Sequence, residues 1–162
     1  MSAEALWQWL VDTPVAAFVR EAAWAYPLLE TVHILGLALV VGPILAFDLR
    51  LLGWHRDLAV DRLAAYLLPL VMTGIVGNLV SGGLLFASDA VEFAANPALQ
   101  VKLALIVVAV LNALWFQSRV FPDHYAWRQG TPAPPAARVA AAVSIAVWLL
   151  VLTAGRMMAY VK

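Results

Sequence analysis

The chain has 162 residues, 64% of them hydrophobic, and its mean hydropathy of +0.88 lies well above the range of soluble domains. The formal net charge is zero and there is no basic run, so composition gives no sign of a nucleic-acid partner. Cysteine is absent, which excludes disulfides, thiolate metal sites and cysteine nucleophiles. We therefore expect one domain, residues 1–162, that lies in a lipid bilayer.

The first part of the chain predicts a surface helix followed by a membrane span. In residues 3–20 apolar side chains recur at roughly helical spacing with polar ones between them, which predicts a short interfacial helix, broken near Pro14. The next apolar segment predicts a span over about residues 26–47, because residues 27–45 alone would measure about 28 Å as a helix. Pro43 is expected to bend this span.

Three further spans are predicted, over about residues 63–86, 97–116 and 136–160. Small residues recur every three or four positions in the second span, which permits close helix approach or leaves room for a flat ligand. Asn96 is predicted to cap the start of the third span, and Pro97 to take its first helical position. The fold class predicted is all-α, an integral membrane four-helix bundle with a short N-terminal interfacial helix.

The distribution of positive charge predicts the orientation of this bundle. Four spans place both termini on one side of the membrane. The loops after the first and third spans carry more cationic residues than the opposite side. They hold Arg50, Arg56, Arg62, Arg119 and Arg128, with Arg138 just beyond, against Arg20, Lys102, Arg156 and Lys162. The positive-inside rule then predicts that the arginine-rich loops face the cytoplasm and that both termini face outward.

Other polar residues of the two arginine-rich loops have a simpler interpretation. Asp48 and Arg50, two apart at the end of the first span, are expected to be interfacial anchors. His55 and His124 are expected to be solvated surface histidines.

Six polar side chains are predicted to share one layer near the outer ends of the spans. Counting about 1.5 Å per residue places them about 6 to 12 Å inside the helix ends. They are Glu30, His33, Asn78, Ser81, Lys102 and Arg156. A polar layer to which four helices contribute predicts a site in the bundle interior. In the alternative interpretation the charged members reach the headgroups or form a structural ion pair.

His33 has three physical uses at this depth: metal or haem ligand, proton carrier, or plain hydrogen-bonding partner. Copper sites usually gather several histidines or methionines, and only Met157 and Met158 lie at a matching depth. Haem needs one axial nitrogen, a slot for the macrocycle and cations for its propionates. His33 could supply the nitrogen, and Lys102 or Arg156 the cations. The slot could lie along the glycines of the second span, which are Gly74, Gly77, Gly82 and Gly83. The residues alone leave all three uses of His33 open.

Several of these residues also form a pattern that resembles a known group of membrane proteins. The pattern consists of the sequence ETVHIL around His33, Gly42, the DLRL segment at 48–51, His55, and Lys102 soon after a proline. It resembles the HemJ-type protoporphyrinogen oxidases and the membrane domain of CopD-type copper-resistance proteins. In the HemJ-type proteins a histidine of the first helix and a lysine of the third form the functional pair, and haem b is bound. The resemblance implies that His33 is the axial ligand and Lys102 the essential lysine.

The expected function is that of a membrane b-type haem-binding redox protein, a candidate haem-dependent oxidoreductase. Lys102 and Glu30 would be its catalytic residues, with Glu30 orienting the imidazole of His33, and Asn78, Ser81 and Arg156 would help to hold the haem. The expected partners are the lipid bilayer, a quinone or a periplasmic protein, and a second copy of the chain. The alternatives are a copper or proton transporter and a non-catalytic accessory subunit.

Overall fold

The computed structural model describes residues 2–122, 127, 130 and 132–161, and the regular structure in these residues is helical. His124, Arg128 and Lys162, which entered the loop and charge predictions, lie outside the described residues.

Two short helices precede the spans, α1 at Ala3–Val11 and α2 at Pro14–Glu21. The chain breaks between them because Thr13 caps α2, its hydroxyl accepting from the Ala16 N–H at 3.3 Å, while Pro14 takes the first helical position. The predicted break near Pro14 is confirmed.

Four helices of the described chain are long and apolar enough to cross a bilayer, which indicates a multi-pass membrane protein and confirms the predicted fold class. They are α3 at Ala25–Leu52, α4 at Val60–Ser88, α6 at Pro97–Trp115, which continues as a π-helical turn at Phe116–Val120, and α7 at Pro135–Met157. A short helix, α5 at Ala90–Ala95, lies between the second and third spans. Large apolar side chains are exposed along all four spans, as expected for contact with lipid.

The spans pack in the order α4, α3, α7, α6. At the α3–α4 crossing, Gly36 meets Gly74, and a Cβ added to Gly74 would lie 2.7 Å from the Gly36 carbonyl oxygen. The two backbones approach this closely because neither residue has a side chain. This confirms the close approach predicted from the small residues of the second span.

The two ends of the bundle are held differently. At the end that carries both termini, the terminal end, the Asn96 amide donates to the carbonyls of Met158 at 3.2 Å and Val161 at 2.9 Å, joining the start of α6 to the end of α7. At the opposite end, the loop end, a cluster of apolar residues is closed by the α3–α4 connection and the chain after α6. This cluster comprises Leu51, Val60, Val120, Ala133, Ala137 and Ala141.

The expectation that Asp48 and Arg50 are interfacial anchors is wrong, because both are buried, at 5% and 4% exposure. Arg50 donates from Nε to the Leu58 carbonyl at 2.7 Å and from Nη2 to the Arg56 carbonyl at 3.0 Å, so it binds the α3–α4 connection. Asp48 faces α7 instead, where the Ser144 hydroxyl is its hydrogen-bond partner. α3 continues past both residues and ends before Gly53, whose φ of 115° suits glycine.

Candidate functional site around His33

The imidazole of His33 is held by α4 through one ring nitrogen. Its Nδ1 lies 3.1 Å from the Oγ of Ser81, a residue that is only 1% exposed. The single hydroxyl proton of Ser81 is already donated to the Gly77 carbonyl, at 2.6 Å. With the Ser81 proton on the Gly77 carbonyl, Nδ1 carries the ring proton and donates it to Ser81, and Nε2 keeps a free lone pair.

The position of the ring also depends on Gly82, one of the glycines of the second span that could form a slot. A Cβ added to Gly82 would lie 3.0 Å from Cε1 and 3.3 Å from Nδ1 of His33, so the imidazole rests against bare α4 backbone. Gly77 and Gly83 of the same helix have open space where a side chain would be. Ser81 and Gly82 thus fix the ring orientation from one side.

The side-chain amide of Asn78 is hydrogen-bonded to the α3 backbone. With the amide oriented to match its neighbours, Nδ2 donates to the His33 carbonyl at 2.8 Å and Oδ1 accepts from the Leu37 N–H at 3.2 Å. The side chain thus bridges one rung of the α3 hydrogen-bond ladder and holds α3 against α4. The structure shows this contact, while the predicted role of Asn78 in holding a cofactor stays a prediction.

Lys102 brings a cation to the same region from α6. Its half-buried side chain runs beside Gly155 of α7, with Nζ 3.6 Å from where a Cβ of that glycine would stand, and it lies within electrostatic range of His33. No hydrogen bond or ion pair joins its ammonium to another described residue. The first and third spans pack through α7 rather than against each other, and the predicted meeting of the imidazole and the ammonium stays a prediction.

Glu30 and Arg156 lie apart from this pair. Glu30 is exposed, one turn before His33, and Ser81 rather than this carboxylate is the partner of Nδ1, so the expectation that Glu30 orients the ring is wrong. Arg156 is exposed and donates from Nη2 to the Tyr160 hydroxyl at 2.6 Å, with its guanidinium 4.9 Å from the centre of the tyrosine ring. This placement fits the alternative in which Arg156 reaches toward the headgroups.

The site as built contains one imidazole held through Nδ1, the bare backbone of Gly82 against it, and one ammonium within electrostatic range. No family model, curated protein or solved structure matches this chain. Within the described residues no three histidine, aspartate or glutamate side chains come together as a metal cluster. What the site can do therefore rests on its own geometry.

Sequence reasoning named Gly82 only as one of four glycines that could form a slot, and it missed Gly155, although both left a signal. Gly82 lies four residues after Asn78 and one after Ser81, so it belongs to the α4 face that was already expected to turn inward. Gly155 directly precedes Arg156, and the interpretation of this segment rested on the charge of Arg156 rather than on the space that the missing side chain of Gly155 leaves.

Proposed function

We propose that this protein is a membrane haem protein of the b type in which His33 Nε2 is the axial ligand to the iron. The observation that carries the proposal is the hydrogen bond of Nδ1 to Ser81, whose own proton is committed to Gly77. A histidine that binds a metal through one nitrogen commonly donates its other N–H to a fixed acceptor, which sets the tautomer.

The residues present fit such a group. The donor set offers one nitrogen, and haem b needs only one or two protein ligands because the macrocycle supplies the other four. On α4 the wall beside the imidazole is the bare backbone of Gly82, so no side chain stands between that helix and the ring. The ammonium of Lys102, unpaired among the described residues, supplies the positive charge that a propionate would need.

Each residue has a separate task in this account. Ser81 accepts the Nδ1 proton and keeps the Nε2 lone pair available, Gly82 gives the ring its place, and Lys102 holds an anionic group near it. The apolar spans keep water away from the site. Bound haem b would supply a one-electron couple between ferric and ferrous iron.

The geometry supports haem better than a copper or proton pathway. A copper site usually needs several protein ligands, and no cluster of three histidine or acidic side chains exists within the described chain. A proton pathway through Glu30, His33 and Lys102 would need the carboxylate beside the imidazole, whereas Glu30 is exposed and Ser81 holds the ring.

The proposal is tested by the visible spectrum of protein purified from cells supplied with a haem precursor. Wild type should show a Soret band whose reduced-minus-oxidised spectrum is of the b type, and His33→Ala should lose it. His55→Ala is the matched control, because His55 is exposed at the loop end, and it should keep the band. Wild type that stays colourless after haem supply and reconstitution would overturn the proposal.

We also propose the cellular setting that the sequence favours: a bacterial inner membrane, both termini periplasmic, and membership of the superfamily that contains the HemJ-type and CopD membrane proteins. A quinone, a periplasmic protein or a second copy would then be the partners of the redox centre.

Because the chain has no cysteine, Asp89→Cys and Asp57→Cys each place a single thiol, the first at the terminal end and the second at the loop end. A thiol reagent that cannot cross the membrane should label only the first in intact spheroplasts, and the reverse result would invert the topology.

A further inference from the structure

A cavity of about 550 Å³ lies in the loop-end half of the bundle, on the opposite side of the membrane region from His33. All four spans line it, and α4 and α6, which form two of its walls, make no extensive contact with each other. It is of the size that proteins use for small-molecule ligands. Its walls are mostly apolar and include the aromatic rings of Phe47, Phe116, Phe121 and Trp148.

One carboxylate faces this cavity without a full set of partners. Asp48 is 5% exposed, and while Ser144 is a hydrogen-bond partner of its carboxyl, the Oδ2 atom is buried and accepts no hydrogen bond. A buried polar atom of this kind is costly unless something binds it. Arg50, two residues later, donates from Nε and Nη2 to the α3–α4 connection, and its Nη1 is also buried without a partner, so no hydrogen bond joins the guanidinium to Asp48 Oδ2.

The charge of the cavity wall has one sign. Its charged members among the described residues are Asp48 and, in the first turn of α4, the exposed Asp61. The amide of Asn112 donates to the Ala140 carbonyl at 3.0 Å. The wall thus offers a buried acceptor, negative charge and aromatic faces, and a matching ligand supplies positive charge.

We propose that this cavity binds an apolar organic cation, with Asp48 as its counter-ion. The cation would enter from the lipid between α4 and α6, pair with the carboxylate of Asp48 and place its apolar groups against the aromatic rings. The site is independent of His33, so its test does not depend on haem.

The test measures binding of radiolabelled tetraphenylphosphonium to the purified full-length protein in a non-ionic detergent. Tetraphenylborate, which has the same shape and the opposite charge, is the control probe. Wild type should bind the phosphonium and not the borate. Asp48→Asn should weaken phosphonium binding by about 10- to 100-fold, the value of a hydrogen-bonded or paired charge. Asp57→Asn, at an exposed loop position, should leave it unchanged.

A second pair of variants tests the cavity itself rather than the charge. Ala113→Phe adds a ring on the α6 wall and should abolish binding, whereas Ala104→Phe, on the same helix but outside the wall, should not. Equal binding of the two probes, or unchanged phosphonium binding in Asp48→Asn, would overturn the proposal and leave the cavity as a site for acyl chains.

Discussion

The Gly74→Ala substitution tests the α3–α4 crossing on which the His33 site depends. The added Cβ would lie 2.7 Å from the Gly36 carbonyl oxygen, 2.8 Å from Val40 Cγ2 and 2.9 Å from Leu39 Cβ. Two of these contacts are with a helix backbone or a Cβ, which have no rotamer to change, so the two helices must separate. Overpacking of this kind costs about 1 to 3 kcal/mol.

Gly83→Ala is the matched control on the same helix, because nothing lies within 4 Å of a Cβ added there. It should raise stability by up to about 1 kcal/mol, since alanine loses less backbone entropy than glycine in a helix. Denaturation of each variant in detergent, followed by circular dichroism, gives the free energies of unfolding. Equal stabilities for Gly74→Ala and Gly83→Ala would refute the close crossing.

Three further substitutions test the site and the terminal end. Ser81→Ala should weaken haem binding about 10- to 100-fold in a Soret titration, because the Nδ1 proton of His33 loses its acceptor. Ser118→Ala removes a hydroxyl that makes the same bond to its own helix and should not change haem affinity; equal affinities of the two variants would contradict the proposed tautomer. Asn96→Ala should lower the free energy of unfolding by about 1 to 3 kcal/mol, because the Asn96 side chain both caps α6 and binds the end of α7. An unchanged free energy of unfolding would contradict this double role. Gly155→Leu should displace the Lys102 ammonium and lower haem affinity about 3- to 10-fold, and Lys102→Met should have the same effect. An effect in only one of these two variants would contradict the idea that Gly155 gives the Lys102 side chain its place.

The fold could be predicted from the sequence because its signals are local. Long apolar runs predict spans through their length alone, and Pro14 and the Asn96–Pro97 pair mark helix starts through capping chemistry. The end of α3 was placed too early because two charged residues suggested the membrane surface. Their burial depends on Ser144 and on the α3–α4 connection, which are contacts that no local pattern encodes.

The candidate site could be predicted in part. Depth counting brought His33, Ser81 and Lys102 to one layer; the structure joins His33 to Ser81 and places Lys102 within electrostatic range of the imidazole. Depth alone does not fix the direction in which a side chain points around its helix. For that reason Glu30 and Arg156, at matching depth, turned out to be exposed.

The central claim, that Nε2 of His33 is the one protein nitrogen that binds iron, is tested most directly by chemical rescue. His33→Gly removes the imidazole, and imidazole added to the haem-supplied variant would occupy the space that it leaves. The account predicts that the Soret band is absent from His33→Gly and returns with added imidazole, with the b-type spectrum of wild type. A Soret band that persists in His33→Gly without imidazole would contradict it.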